Sequence, residues 1–201
     1  VAVVKFITDF GDQAVVLPMA AAIAVALLLL GWWRGAIGWT VAVTGTLAVV
    51  LSLKIIFYAC GSDMPDFGIR SPSGHTASAT VVYAALLALL GQNGIPGATR
   101  HLLVIAGAAI LLALVFGFSR VDLGVHTIPD VLMGGAVGIL GALVFTLLAG
   151  RRPDGFRRGV LALVVVVVAL LFHGRELNAE EAIQHMAIVY WWPFISSCHH
   201  P

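Results

Sequence analysis

The sequence predicts an all-α protein, a polytopic transmembrane helix bundle of about six spans in one domain. Three observations carry this. Of its 201 residues, 60% are hydrophobic and 10% charged, against roughly 45–50% and 25% in soluble domains; so few charges cannot cover a water-facing surface. Mean hydropathy is +1.02. Apolar runs near the roughly 20 residues needed to cross a bilayer recur along the chain, and in hydrocarbon such runs must satisfy their backbone groups internally, as helices do.

The first dozen residues hold Lys5, Asp9 and Asp12. The apolar run after them is longer than a signal-peptide core, so a secretory leader is not expected here. The spans then read 14–33, 36–60, Ser73 to Leu90, 101–118, 128–149 and 156–173. The last is the weakest: its clean apolar core is Val160–Phe172, and Arg157 and Arg158 must reach back to the interface to complete it. Short links such as Gly91–Gly97 favour antiparallel neighbours in one bundle. Trp32, Trp33 and Trp39 fall near span ends, as an interfacial aromatic belt would place them. The domain reads as 1–201, with a core over 50–150 and an extra span and outer tail over 151–201. In the tail, 179–197 carries Glu180, Glu181, His185, Tyr190, Trp191 and Trp192, and reads as an amphipathic helix on the outer interface. Glu181 and His185 alone are too few to hold a metal, so they read as surface residues.

Net charge is +1, and no basic stripe suggests nucleic acid. Cys60 and Cys198 lack metal-ligand spacing and read as unrelated thiols. His101, His173, His199 and His200 have no partners in motif spacing. No metal and no cofactor is expected. Arg34, Arg100, Arg151, Arg152, Arg157 and Arg158 gather on one side with Asp154 as their only acid, while Lys5, Lys54, Arg70, Arg120, Arg175 and the other acids lie opposite. The positive-inside rule puts the first side in the cytoplasm. Both termini, and the loops 61–72 and 119–127, then face outward.

The chemistry-bearing residues converge at that outer face. Lys54 lies near the outer end of the second span; Arg70, Ser73 and His75 surround the start of the third; Ser119, Arg120, His126 and Asp130 lie between the fourth and fifth. Ionisable residues at membrane depth are functional candidates by default. In Ser71-Pro72-Ser73-Gly74-His75, Ser71 suits an N-cap and Pro72 the first helical position. The amides of Ser73 and Gly74 would then be anion donors at a helix start, with His75 beside them as a proton donor. Arg120 can grip a phosphate with two parallel hydrogen bonds. His126 and Asp130 are four apart and share a face on a helical turn. A carboxylate on one imidazole nitrogen fixes the tautomer, leaves the other free to attack and stabilises the charge that develops. Thr127 and Asp130 also suit a helix-capping pair, and both roles can hold together.

Pro72-Ser73-Gly74-His75, followed by Ser119-Arg120, five residues, His126, three residues and Asp130, resembles the type-2 phosphatidic acid phosphatase superfamily, which includes the vanadium haloperoxidases. Its second and third signatures, P-S-G-H and S-R-x5-H-x3-D, match without substitution, and the resemblance covers about Lys54 to Gly150. It implies a haloperoxidase-like helical core and a divalent-metal-independent phosphatase. His126 would attack phosphorus, Asp130 orient it and His75 protonate the leaving group. Arg120, Lys54, Ser73 and Gly74 would hold the phosphoryl oxygens. The first signature, K-x6-R-P, departs: Gly61 and Ser62 stand where arginine and proline belong. Arg70 is expected to supply the missing guanidinium.

The expected substrate is a lipid phosphate or pyrophosphate, of the undecaprenyl pyrophosphate, phosphatidic acid, phosphatidylglycerol phosphate or lipid A phosphate type. Membrane lipids are the expected surroundings, and the expected place is a bacterial inner membrane with the site facing the periplasm. Two alternatives use the same residues: a phosphotransferase, passing the phosphate to a lipid or sugar acceptor, and a non-hydrolytic phosphate-lipid transporter. The haloperoxidases are soluble, which sets their reaction aside for this chain.

Overall fold

The computed structural model describes residues 2–60, 69–91, 97–177, 179–187 and 189. Eight helices occur among them: α1 (Ala2–Asp9), α2 (Gln13–Leu29), α3 (Trp33–Cys60), α4 (Gly74–Gly91), α5 (Ala98–Asp122), α6 (Ile128–Leu148), α7 (Arg158–Phe172) and α8 (Ala179–Met186). Five stretches are long and apolar enough to cross a membrane: Ala2–Leu29, Trp33–Tyr58, Gly74–Gly91, Ala98–Asp122 and Ile128–Leu148. The sixth expected span, α7, has 15 residues. At 1.5 Å per residue it is about 22 Å long, short of a hydrocarbon core of roughly 30 Å. It nevertheless runs from one end of the bundle to the other. Phe156, just before it, packs edge-on against Trp32, and His173, just after it, stacks with Phe6 and Phe10.

Helix α4 is the centre. It packs on α5 and α6, which pack on each other; α3 closes against α4 and α6, and α2 lies between α3 and α7. Of the five spans α4 is the least apolar and the most buried. It faces other helices rather than lipid, so Thr76, Ser78 and Thr80 sit inside. Glycines let α6 approach. A Cβ at Gly138 would lie 2.6 Å from the Ala77 carbonyl oxygen and 2.7 Å from Thr80 Cβ, and Gly134 and Gly141 are equally tight against Ser73 and Thr46. Small residues at such contacts are how membrane helices reach van der Waals packing without a hydrophobic drive between them.

The aromatic belt needs correction. Trp33 is exposed, but Trp32 and Trp39 are 2% and 1% exposed. Their indole N–H groups donate to the carbonyls of Ala149 (3.1 Å) and Ala20 (2.9 Å), so both are core residues whose polar tip is satisfied inside. Glu180, Glu181 and His185 lie on a helix as expected, α8, which packs against α3. Residues 61–68, with Gly61 and Ser62, fall outside the described residues, as do Tyr190, Trp191, Trp192 and Cys198, and with Cys198 the reading of the two cysteines as unpaired.

Candidate active site

Two helix starts and one helix end build the site. Helix α5 ends at Asp122, and Gly124 follows at φ +70°, a left-handed turn that glycine adopts without strain. This reverses the chain so that His126 arrives just before α6. Thr127 caps α6 in a capping box with Asp130: the Asp130 amide donates to Thr127 Oγ1, and the Thr127 amide donates to Asp130 Oδ2 at 2.9 Å. His126 therefore lies outside the helix, and the capping box, not a shared helical face, brings it to Asp130. His126 Nδ1 is 3.6 Å from Asp130 Oδ2, within ion-pair reach but longer than a hydrogen bond.

Asp130 does more than face His126. It is buried, and its Oδ1 accepts the backbone amides of Arg70 (2.8 Å) and Ser71 (3.0 Å), while its carbonyl accepts the amide of Ser73 (3.0 Å). One residue thus clasps the segment before α4 and fixes where that helix begins. The start lies two residues later than expected. Ser73, not Ser71, is the cap, its Oγ accepting from the Thr76 amide at 3.3 Å. Ser73 is fully buried, its amide is taken by Asp130, and it does not line the cavity. Ser71 lines it instead, with Gly74 and His75.

A cavity of about 1050 Å³ opens between these elements. Lys54, Arg70, Gly74, His75, Arg120, His126 and Asp130 line it; of the residues singled out from sequence, Ser73 and Ser119 are set apart, Ser119 being buried with its hydroxyl donating to the Phe116 carbonyl at 2.7 Å. Lys54 reaches in from α3 and is 2% exposed. Arg120 donates from Nη1 to Thr8 Oγ1 at 3.3 Å, and its buried Nε has no hydrogen-bond partner among the described residues. Arg70 is exposed, held through its backbone amide. Part of the lining is aliphatic: Leu17 of α2, and Leu47, Val50 and Leu51 of α3 in the turns just before Lys54.

Burial first, then the charges of Lys54 and Arg120, hold the His126 imidazole below its ordinary value of 6.5, against the opposing carboxylates of Glu180 and Asp130. At neutral pH the ring is therefore uncharged, the form that can attack phosphorus.

Sequence reasoning missed two carboxylates. Asp12 caps α2 by accepting the Ala14 amide (2.8 Å); its Oδ2 lies 3.2 Å from His75 Nε2, and its Oδ1 also accepts the Leu177 amide (3.1 Å). Glu180, read as an interfacial tail residue, points into the cavity. Its carboxylate accepts from Lys54 Nζ at 2.5 and 2.6 Å, from Ser71 Oγ at 2.9 Å and from the Tyr58 hydroxyl. Burial would raise the Glu180 carboxyl, but the Lys54 charge and the three donors outweigh it, so it is held below its ordinary value. Asp12 follows Gly11 at a helix start, a recognisable cap signal. Nothing local marks Glu180, which is 126 residues from Lys54.

The family model of the PAP2 superfamily matches residues 36–154. The chain is 31% identical over 195 residues to the "Uncharacterized 22.5 kDa protein in cps region" of Klebsiella pneumoniae, covering 91% of this chain and 89% of that one. It is 38% identical over 69 residues to "Phosphatidylglycerophosphatase B" of Bacillus subtilis (strain 168), 34% of each chain. No solved structure matches it significantly.

Proposed function

Because the chain belongs to the PAP2 superfamily, a superfamily of phosphatases, we propose that it is a membrane-embedded lipid-phosphate phosphatase working through a phospho-histidine on His126. The observation that carries the reading is the convergence, in one cavity, of His126 beside the fixed carboxylate of Asp130 with His75 and three cations. The free ring nitrogen of His126 forms a bond to phosphorus as the ester P–O bond breaks. Asp130 stabilises the imidazolium that results. His75, held by Asp12, gives its proton to the leaving oxygen. Arg120, Lys54 and Arg70 take up the charge on the equatorial oxygens, the main contribution a protein makes to phosphoryl transfer. Water then attacks phosphorus, the P–N bond breaks, inorganic phosphate leaves, and His75 acts as the base.

The aliphatic wall supports a lipid substrate: a phosphate at headgroup depth would meet the cations while its tail lay along Leu17, Leu47 and Leu51. The name of the Bacillus subtilis relative favours a glycerophospholipid phosphate. Orientation follows the arginine asymmetry, with the cavity facing away from the Arg151–Arg158 end and, in a bacterial inner membrane, toward the periplasm. The test is phosphate release from a panel of lipid phosphates in detergent with EDTA present, comparing the wild type with His126→Ala. The reading expects a loss of about three orders of magnitude or more, the scale seen when a catalytic unit is broken. Equal release by the two proteins would end it.

A further inference from the structure

Glu180 holds Lys54, one of the cations that the mechanism assigns to the phosphoryl oxygens. Both of its oxygens lie on Lys54 Nζ, and Ser71 Oγ and the Tyr58 hydroxyl complete a set of donors around one anion. A phosphoryl oxygen seeks the same kind of donor set. Lys54 is almost wholly buried and its ammonium needs a counter-charge, since a buried charge left unpaired is strongly destabilising. Before substrate arrives, Glu180 is that counter-charge. Carboxylate and phosphoryl group cannot both hold Lys54: their oxygens would compete for the same protons, and their like charges would sit within one cavity that already contains Asp12 and Asp130.

The means of exchange is built in. The Glu180 side chain is 45% exposed, so a rotamer change takes its charge to solvent while α8 stays docked. No residue of α8 itself is buried. The segment leading to it is held by the Leu177 amide on Asp12 and by the exposed Lys5–Glu176 ion pair at 3.0 Å. These attachments keep Glu180 near Lys54 at a high effective concentration, so it returns as soon as the site empties.

We propose that Glu180 is a tethered competing anion that takes Lys54 between turnovers and so limits inhibition by free inorganic phosphate. The proposal rests on the phosphoryl-binding reading of the cavity. A bound lipid phosphate adds contacts along the aliphatic wall, and these offset the loss of the Glu180–Lys54 pair. Inorganic phosphate has no such contacts, so the carboxylate expels it after each turnover. Displacing Glu180 weakens both ligands by the same factor; the lipid still binds through its added contacts, whereas inorganic phosphate keeps little affinity, which limits product inhibition.

The test compares wild type with Glu180→Gln and Glu180→Ala as full chains in detergent. Direct titration with inorganic phosphate is followed by calorimetry, so the readout does not depend on turnover. A second arm measures KM for a short-chain phosphatidic acid. Phosphate affinity is expected to rise about tenfold or more in both variants, and KM for the lipid to fall with it. The rise in unfolding temperature on adding phosphate should also be larger in the variants than in wild type, because ligand binding stabilises by mass action. If phosphate binds both variants as weakly as wild type or more weakly, Glu180 is only a structural partner of Lys54 and the proposal fails. If KM for the lipid rises in both variants, Glu180 serves lipid binding instead of competing with it, and the proposal fails. A wild type that turns over no lipid phosphate would count against the phosphatase reading, whereas the phosphate titration still decides the role of Glu180.

Discussion

Asp130 both faces His126, the proposed nucleophile, and clasps the segment before α4, and replacing it should separate the two roles. In the native protein its carboxylate accepts three backbone amides, from Arg70, Ser71 and Thr127 at 2.8, 3.0 and 2.9 Å, inside a buried site. Hydrogen bonds to a charged group contribute about 1.5–3 kcal/mol each, and each buried donor left unpaired costs about 1–3 kcal/mol. Asp130→Ala orphans all three amides, a loss of roughly 4–6 kcal/mol after water reaches part of the gap. That is a large share of a total stability of about 5–15 kcal/mol, and it should lower the unfolding temperature by about 10 °C or more. Asp130→Asn divides the effects. An amide oxygen in the place of Oδ1 still accepts from Arg70 and Ser71, while the NH₂ in the place of Oδ2 confronts the Thr127 N–H and His126 Nδ1. The asparagine variant should therefore lose only about 2–3 kcal/mol, yet lose activity by about 10²–10⁴-fold, because the imidazole tautomer and its developing charge are no longer supported. The assay is thermal unfolding in detergent beside phosphate release on the same preparations. An alanine variant that melts with wild type would refute the assignment of Asp130 as the clasp of the segment before α4. An asparagine variant with wild-type turnover would refute its role toward His126.

Asp12→Asn should slow release of the alcohol from alkyl phosphates by about tenfold or more while leaving the pre-steady-state burst of p-nitrophenol from p-nitrophenyl phosphate nearly unaffected, since a good leaving group needs little help in that step from the His75 that Asp12 holds at 3.2 Å; equal losses in the two first steps would show that Asp12 does not act through His75. The acidic limb of kcat/KM should lie below pH 6.5, because burial, Lys54 and Arg120 depress His126 and activity fades only as pH falls through that lowered value; Glu180→Gln removes a charge that raises it and should move the limb lower still, and a limb above 6.5 in wild type would contradict the assignment. Gly138→Ala should destabilise by about 1–3 kcal/mol through overpacking against Ala77 and Thr80, whereas Gly107→Ala, on α5 with open space around the added methyl, should be neutral or stabilising; the same melting point for the two would disprove the close α4–α6 contact.

The spans were legible because each is a continuous apolar run, and a run needs no partner to be recognised. What the runs could not show is which faces look inward. Trp32 and Trp39 have the composition of interfacial anchors, and only the carbonyls of Ala149 and Ala20, distant in sequence, make them core residues. That His75, His126 and Asp130 would meet was legible for a different reason: each sits in a short motif whose spacing is set by a helix end. The same locality misled at Ser71 and Ser73, where either serine could cap α4. The choice was made by Asp130, 59 residues further on, drawing in the Ser71 amide. Glu180 marks the limit of local reading, but a physical argument could have come close to it. Lys54 at the end of a span is a buried ammonium, and a buried ammonium needs a carboxylate. The acids on the outer side supply the candidates, and deciding among them needs the path of α7, which carries the chain back across the bundle and delivers α8 to Lys54.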